Sequence, residues 1–331
     1  MNILVTFDYE IYFGENHGSV DKCIIYPTSE LIRIAEIHKV NFCFFVDSGF
    51  ILKLAEYKTT FPQLEKDYSS IITQIKYLSD SGHDIQLHIH PHWEDSYYNG
   101  EKWIINTTRY KLVDFSDTEI SSIVSRYKSI LREITGKEIF AYRAGGWCLQ
   151  PFSKLLKAFK ENHISLDSSV FRDGAYTSLQ YAYDFRNSPN KDIYKFEDDP
   201  IVENQDGYFT ELPISSILNS PFFFWKLFFL GRKNPYLHKP LGDGRAIPAP
   251  GQRKKMLTQY TNCTVSVDGY NAHLLEKSLK ITKKKKFGNL VIIGHPKSLS
   301  RYSIIKLEEF IRKNKTTHSF TTYTNKFRID K

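Results

Sequence analysis

Cysteine is scarce. Cys23, Cys43, Cys148 and Cys263 are the only four in 331 residues, widely spaced and never arranged as a CxxC pair. That excludes a disulfide scaffold and a cysteine-built zinc ribbon, and it fits free thiols of a reducing compartment. A secretory leader is not expected. Asn2 runs straight into Ile3-Leu4-Val5-Thr6-Phe7-Asp8, a strand pattern with no basic start and no long apolar segment. No run is long enough to cross a membrane. The longest, Pro221 to Leu230 (PFFFWKLFFL), is about half of a span. The default location is therefore cytoplasmic, with contact to the inner face of a membrane through 221–230 as the sharper option. There is no RNA- or DNA-binding signature, so nucleic acid is not an expected partner. Neither a repeat period nor a linker appears, which leaves one domain over 1–331 with an aromatic-rich insertion around 215–265.

What is present is globular: 41% hydrophobic and 15% aromatic residues, enough for a real core. The net charge of +8 is partly local, in Lys283 to Lys286 and at Lys254-Lys255. These runs read as solvated helix ends or loops. Attraction to a phosphate-bearing or membrane-linked substrate is the alternative.

The chain is organised around Gly82 to Trp93, GHDIQLHIHPHW. Ile85, Leu87 and Ile89 alternate with Asp84, Gln86, His88 and His90, the period of a strand with one apolar face. Pro91 cannot donate to a ladder, so the strand should stop there and leave His92 on the loop beyond it. Three histidines in five residues are hard to explain as packing, and neutral imidazole is the commonest metal-ligand side chain. His83, by contrast, reads as a surface residue.

Strand-like and helix-like segments alternate along the rest. Strands are expected at 3–8, 40–47, 84–90, 139–143, 164–170, 208–214 and 290–295. Helices are expected after Pro27, over 61–81, behind the Ser116-Asp117-Thr118-Glu119 capping box, over 152–162, and from Ala272 and Ser303. The final ten residues carry little signal. Alternation of this kind means parallel strands with helical crossovers, and seven of them predict a deformed, TIM-like (β/α)7 barrel of class α/β. Chemistry in such a fold sits at the C-terminal strand ends. The polar residues of this sequence fall there: Asp8 and Glu10, His88 and His92, Arg143 to Trp147, Asp167, and His295.

The order FDYE, HIHPH, RAGGW, LDSS and IIGH over residues 3 to 296 resembles the polysaccharide deacetylase (NodB-like, carbohydrate esterase 4) family. The FDYEIYFG and LHIHPHW wording is similar to the subgroup found with O-antigen and capsule biosynthesis genes. The resemblance implies hydrolysis of an N-acetyl group from a sugar, and one divalent metal, usually zinc, bound by two histidines and a carboxylate. The family's usual Asp-Asp pair is replaced here by Asp8-Tyr9-Glu10, an Asp-x-acid spacing.

Amide hydrolysis needs an activated water, a polarised carbonyl and a proton for the departing amine. On this reading His88, His92 and Glu10 hold the metal, with His90 the alternative ligand and otherwise a neighbour on the substrate side. Asp8 is the general base and Arg143 keeps it ionised. His295 is the acid, paired with Asp167. Trp147 walls the pocket, and Tyr9 or Tyr142 adds a donor. Asp8 is expected to be the last regular strand residue, with a bend there bringing Glu10 to the same site. The partner is an acylated sugar, nucleotide- or lipid-linked. A sugar-binding barrel without turnover and a hydrolase of another bond, such as a phosphoester, are the alternatives.

Overall fold

The computed structural model describes residues 1–178, 180–247 and 249–327. In the first third of the chain lie β1 (Asn2–Tyr9), α1 (Tyr26–His38), β2 (Cys43–Asp47), α2 (Ser48–Tyr57), α3 (Pro62–Asp80) and β3 (Asp84–Ile89). There follow α4 (Asp117–Thr135), β4 (Ala141–Ala144), α5 (Leu156–Glu161), β5 (Leu166–Asp167), β6 (Tyr194–Phe196) and β7 (Phe209–Glu211). The last third holds β8 (Ser216–Asn219), α6 (Pro221–Lys233), α7 (Gln252–Thr258), β9 (Thr261–Thr264), α8 (Leu275–Lys284), β10 (Asn289–Gly294), α9 (Arg301–Asn314) and β11 (Ser319–Phe320). All seven expected strands form, as β1, β2, β3, β4, β5, β7 and β10. The contacts divide the chain into two compact units: Met1–Phe42 with Ile214–Thr321, and Cys43–Pro213 with Thr322–Lys331.

In the first unit β1 pairs in parallel with β10, from Asn2↔Asn289 to Phe7↔Gly294, and β11 joins the other side of β1. Ile3, Val5 and Phe7 alternate with Leu4, Thr6 and Asp8, yet both sets are buried. That is why the sequence is apolar nearly throughout, as a parallel strand covered on both faces must be. Phe7 meets Phe42 edge-on at 5.5 Å. The polar Thr6 is accommodated because its hydroxyl donates to the Ile292 carbonyl at 2.9 Å.

In the second unit β2, β3, β4, β5 and β7 run parallel in that order, with β6 antiparallel on β7. The buried Gln86 stitches β3 to the start of β4. Its amide oxygen accepts from the Phe140 and Ala141 N–H groups, and its Nε2 donates to Asp84. The register aligns Asp47 with His88 and His88 with Arg143, so the three side chains stand in a row at the C-terminal strand ends. Helix α4 begins as expected, with Ser116 and Glu119 closing a reciprocal capping box.

Two expectations change, and one helix was not expected. His83 is buried, not on the surface, and packs edge-on to Phe44 at 5.7 Å. The C-terminal residues are anchored: Tyr323 is fully buried and donates to Ser168 Oγ at 2.8 Å, and Thr324 binds Asp84 through both N–H and hydroxyl. Finally, α2 follows β2 without a loop. Gly49 at its start is required by close approach, because a Cβ there would lie 2.7 Å from Tyr127 Oη and 2.8 Å from Trp93. Among the described residues no helix is long and apolar enough to cross a membrane. The Pro221 to Leu230 stretch forms most of α6, in which only Phe224 is buried.

Candidate active site

The histidine group belongs to the second unit. His88 lies in β3 and His90 one residue past its end, so the two-residue period points both rings the same way. His88 Nδ1 is 2.8 Å from the Arg143 carbonyl oxygen. A carbonyl can only accept, so Nδ1 carries the proton and Nε2 turns a lone pair outward. His90 Nε2 lies 3.0 Å from His88 Nε2. Gly145, from the RAGGW segment, makes this possible: a Cβ there would sit 2.5 Å from His90 Nδ1. Pro91 ends the strand as expected and opens a short turn, Pro91–Asp95. His92 on that turn stacks parallel to Tyr110 at 5.7 Å, with its ring centre 5.4 Å from that of His90. The nearest facing ring nitrogens are thus those of His88 and His90, whereas the sequence reading paired His88 with His92. Trp93 is held by its indole N–H, which donates to Asp47 Oδ2 at 2.7 Å.

Arg143 is fully buried in the same unit. It donates from Nε to the Ser168 carbonyl at 2.8 Å and from Nη2 to Ser168 Oγ at 3.2 Å, and it lies over the Phe45 ring at 4.1 Å. Its charge is felt by Asp167 and Glu211. Burial pushes both carboxyls up, and Glu211 well above its ordinary range, with the Asp167 charge adding to it. Burial therefore favours a proton shared within this pair, and Asp167 also accepts from Ser169 N–H and Oγ. Glu211→Gln, which keeps a donor, should unfold in urea close to wild type. Glu211→Ala should cost about 3 kcal/mol or more, because it leaves a buried carboxylate without its donor. Equal losses in the two variants would mean that the shared proton is not what holds this pair.

Trp147 ends the Gly145–Trp147 turn at φ 59°, a left-handed backbone rare for tryptophan. Its ring packs on Phe171 at 5.0 Å and Tyr183 at 5.5 Å. Tyr142 lies on the opposite strand face from Arg143, buried edge-on against Phe159 of α5 at 4.7 Å. That placement is core packing.

The carboxylate group belongs to the first unit. Strand β1 continues through Tyr9, one residue beyond the expected end. Asp8 and Glu10 are two residues apart, so they face the same way without a bend, while Tyr9 turns to the other side and is buried. His295, just past β10, has Nε2 at 3.6 Å from Asp8 Oδ2 and 3.8 Å from Glu10 Oε1. Its Nδ1 is 2.8 Å from Asp268 Oδ2, and its own N–H donates to Asp268 Oδ1 at 2.8 Å. The expected pairing of His295 with Asp167 is therefore corrected. The partner is Asp268, delivered by the bridge between Ser266 and Ile293. Lys297 donates to Glu10 Oε1 at 2.8 Å and to the Ile11 carbonyl at 2.6 Å, so the Glu10 carboxyl is held by a charge-assisted hydrogen bond.

Burial alone would lower the His295 pKa. The Asp268 charge and hydrogen bond, backed by Asp8 and Glu10, more than offset that and lift it to about 9. In metal-free protein the His295 imidazole resonances should titrate near that value, and Asp268→Asn should move the midpoint toward the ordinary 6.5 or so. The sign follows from the upward shift. The ion pair stabilises the fold fully below the ordinary value and is lost as pH rises through about 9. An unmoved midpoint in Asp268→Asn would remove Asp268 as the cause.

Sequence reasoning missed Asp268, Lys297, Tyr110 and Asp47. Asp268 did carry a signal, since it follows the alternating stretch Thr264-Val265-Ser266-Val267 as a strand-end acid. Lys297 and Tyr110 carried none.

No protein-family model matches the chain, and no curated protein matches it. Among solved structures it is similar to a proposed polysaccharide deacetylase from Mycobacterium smegmatis, with a TM-score of 0.54 and 15% identity over 99% of this chain and 88% of that one. It is also similar to PuuE allantoinase (TM-score 0.52, 11% identity, 99% and 89% covered). A third likeness is to 4-alpha-glucanotransferase from Thermococcus litoralis (TM-score 0.52, 12% identity, all of this chain and 40% of that one). At such identities the likeness carries the fold, which is α/β, a deformed (β/α) barrel as in polysaccharide deacetylases. Three differently named activities on one architecture mean that function has to be argued from the side chains.

Proposed function

We propose that this chain is a metal-dependent deacylase that removes an N-acyl group, first of all N-acetyl, from a sugar of surface-polysaccharide biosynthesis. The observation that carries the reading is His295. It is an imidazole held by Asp268 at 2.8 Å, with its other nitrogen 3.6 Å from Asp8, so one acid and one base stand side by side. The order of the short motifs, FDYE to IIGH, supports the choice of reaction class.

The donor chemistry fits a divalent ion, with zinc first because imidazole and carboxylate suit it. His88 turns out a lone pair whose tautomer is set by the Arg143 carbonyl, and His90 Nε2 is aimed at the same point. His88 and His90 would hold the ion together with Glu10, and His92 is the third imidazole of the group. When bound, the ion supplies a water of lowered pKa and polarises the acyl oxygen.

The remaining work falls to the chain. Asp8 takes the proton of the attacking water. His295, protonated up to about pH 9 in the metal-free chain, gives its Nε2 proton to the departing amine. Asp268 holds that ring by Nδ1 and stabilises its charge. Lys297 holds Glu10 in place by its 2.8 Å ion pair, and Arg143 is assigned the orientation of the base. Trp147 offers an aromatic face to a sugar ring. Tyr9 and Tyr142, both buried in packing, have no part in the reaction.

A screen of N-acetylated nucleotide sugars and lipid-linked glycans for released acetate tests the proposal and names the carrier. Acetate from at least one of them is the expected result. Phosphate release without acetate would transfer the site to phosphoester chemistry. Sugar binding without any release would make the barrel a binding module.

A further inference from the structure

The surface of α6 asks for a partner that the catalytic reading does not supply. At ~100° per residue, Phe222, Trp225 and Phe229 share one arc of this helix, opposite the buried Phe224. They are 76%, 44% and 60% exposed, and Trp225 stacks on Phe229 at 6.1 Å. Lys226, Arg232 and Lys233 lie on the same arc or its edges, all exposed. The helix is fixed in place. The Trp225 indole donates to the Leu257 carbonyl of α7 at 3.1 Å, and the Arg253 guanidinium of α7 lies 4.8 Å over Phe228. Two further exposed side chains flank the N-terminal end of α6: Leu218 in β8, and Tyr260 beside the Asn219↔Thr261 pair. From Ile214 to Asn262 the sequence has eight Lys or Arg residues and a single acid, Asp243.

We infer that this face of α6 lays the protein onto an anionic lipid surface. Rigid aromatics in the middle with cationic side chains at the rim match the boundary between acyl chains and charged headgroups. A second copy of the chain fits less well. A two-fold interface over this arc would bring Lys226, Arg232 and Lys233 against their own equivalents. The inference is independent of the catalytic proposal, because binding to lipid is measured without turnover.

The test is co-sedimentation of the full chain with phosphatidylcholine vesicles, with and without phosphatidylglycerol, at low salt. Binding should need the anionic lipid and weaken with added salt. Phe222→Ser combined with Phe229→Ser should weaken it by about 10²-fold or more, the loss expected for two aromatic side chains withdrawn from an apolar phase. Lys226→Glu combined with Lys233→Glu, which gives up the 5.8 Å approach of Lys226 Nζ to the Tyr270 ring, should also weaken it. Trp emission should shift to the blue on binding, and Trp225→Phe should remove that shift. Unchanged circular dichroism and unfolding midpoints show that each variant is folded. The inference is overturned by absence of binding to anionic vesicles, or by binding that both double variants retain. A concentration-dependent dimer that Phe222→Ser with Phe229→Ser dissociates would also overturn it, by giving the face to a second copy.

Discussion

Asp8→Asn is expected to keep bound metal and lose about 10²–10⁴-fold in turnover, the usual cost of removing a general base. The amide has nearly the shape of the carboxylate, so packing at the end of β1 should hardly change. It cannot accept the proton of a water, and that is the function assigned to this position. His295 would feel the change too, because Asp8 is one of the three acids that raise its pKa. The upper limb of the pH profile should therefore move down in Asp8→Asn as well as the rate. Glu10→Gln should behave differently, with weaker metal affinity and partial recovery of activity in excess zinc. If Asp8→Asn comes out metal-free while Glu10→Gln binds zinc normally, the two roles are exchanged.

Loss of the metal is the second large effect, expected of His88→Gln with the fold retained. His88 is buried in β3, so glutamine, which fills much of the same space, is a cleaner substitution than alanine. Its amide is a poor ligand, and affinity should fall by more than the ~10–100-fold typical of outer-shell changes. His90→Ala and His92→Ala then separate two ligand sets. The Nε2 pair at 3.0 Å predicts that His90→Ala loses metal nearly as completely as His88→Gln. His92, stacked on Tyr110, should have the smaller effect. Elemental analysis showing full metal in His90→Ala and none in His92→Ala would restore the His88/His92 pairing.

Much of the scaffold could be read from local pattern. β1, β2 and β10 are short, largely apolar runs buried on both faces, and β3 shows by its alternation, so both kinds are visible without any partner in view. The capping box before α4 is equally local, since Ser116 and Glu119 satisfy each other. What stayed hidden depends on residues far apart in the chain. Asp268 reaches His295 only because Ser266 bridges to Ile293, and no spacing rule connects positions 268 and 295. Tyr323 looked like tail because its anchor, Ser168, is 155 residues away. Helix α2 was not assigned from sequence, and its start depends on Gly49 admitting Tyr127 and Trp93, which lie far along the chain. The position of His90 depends on Gly145, a glycine from a different motif that leaves room for its imidazole.

The account's central claim is that hydrolysis depends on an ion held by the imidazoles of the β3 end. It is tested most directly by acetate release from an N-acetylated substrate before chelation, after chelation, and after zinc is restored, in wild type and His88→Gln. The account predicts activity that chelation abolishes and zinc restores in wild type, and none at any stage in His88→Gln. Acetate release that survives chelation, or that persists in His88→Gln without metal, would contradict it.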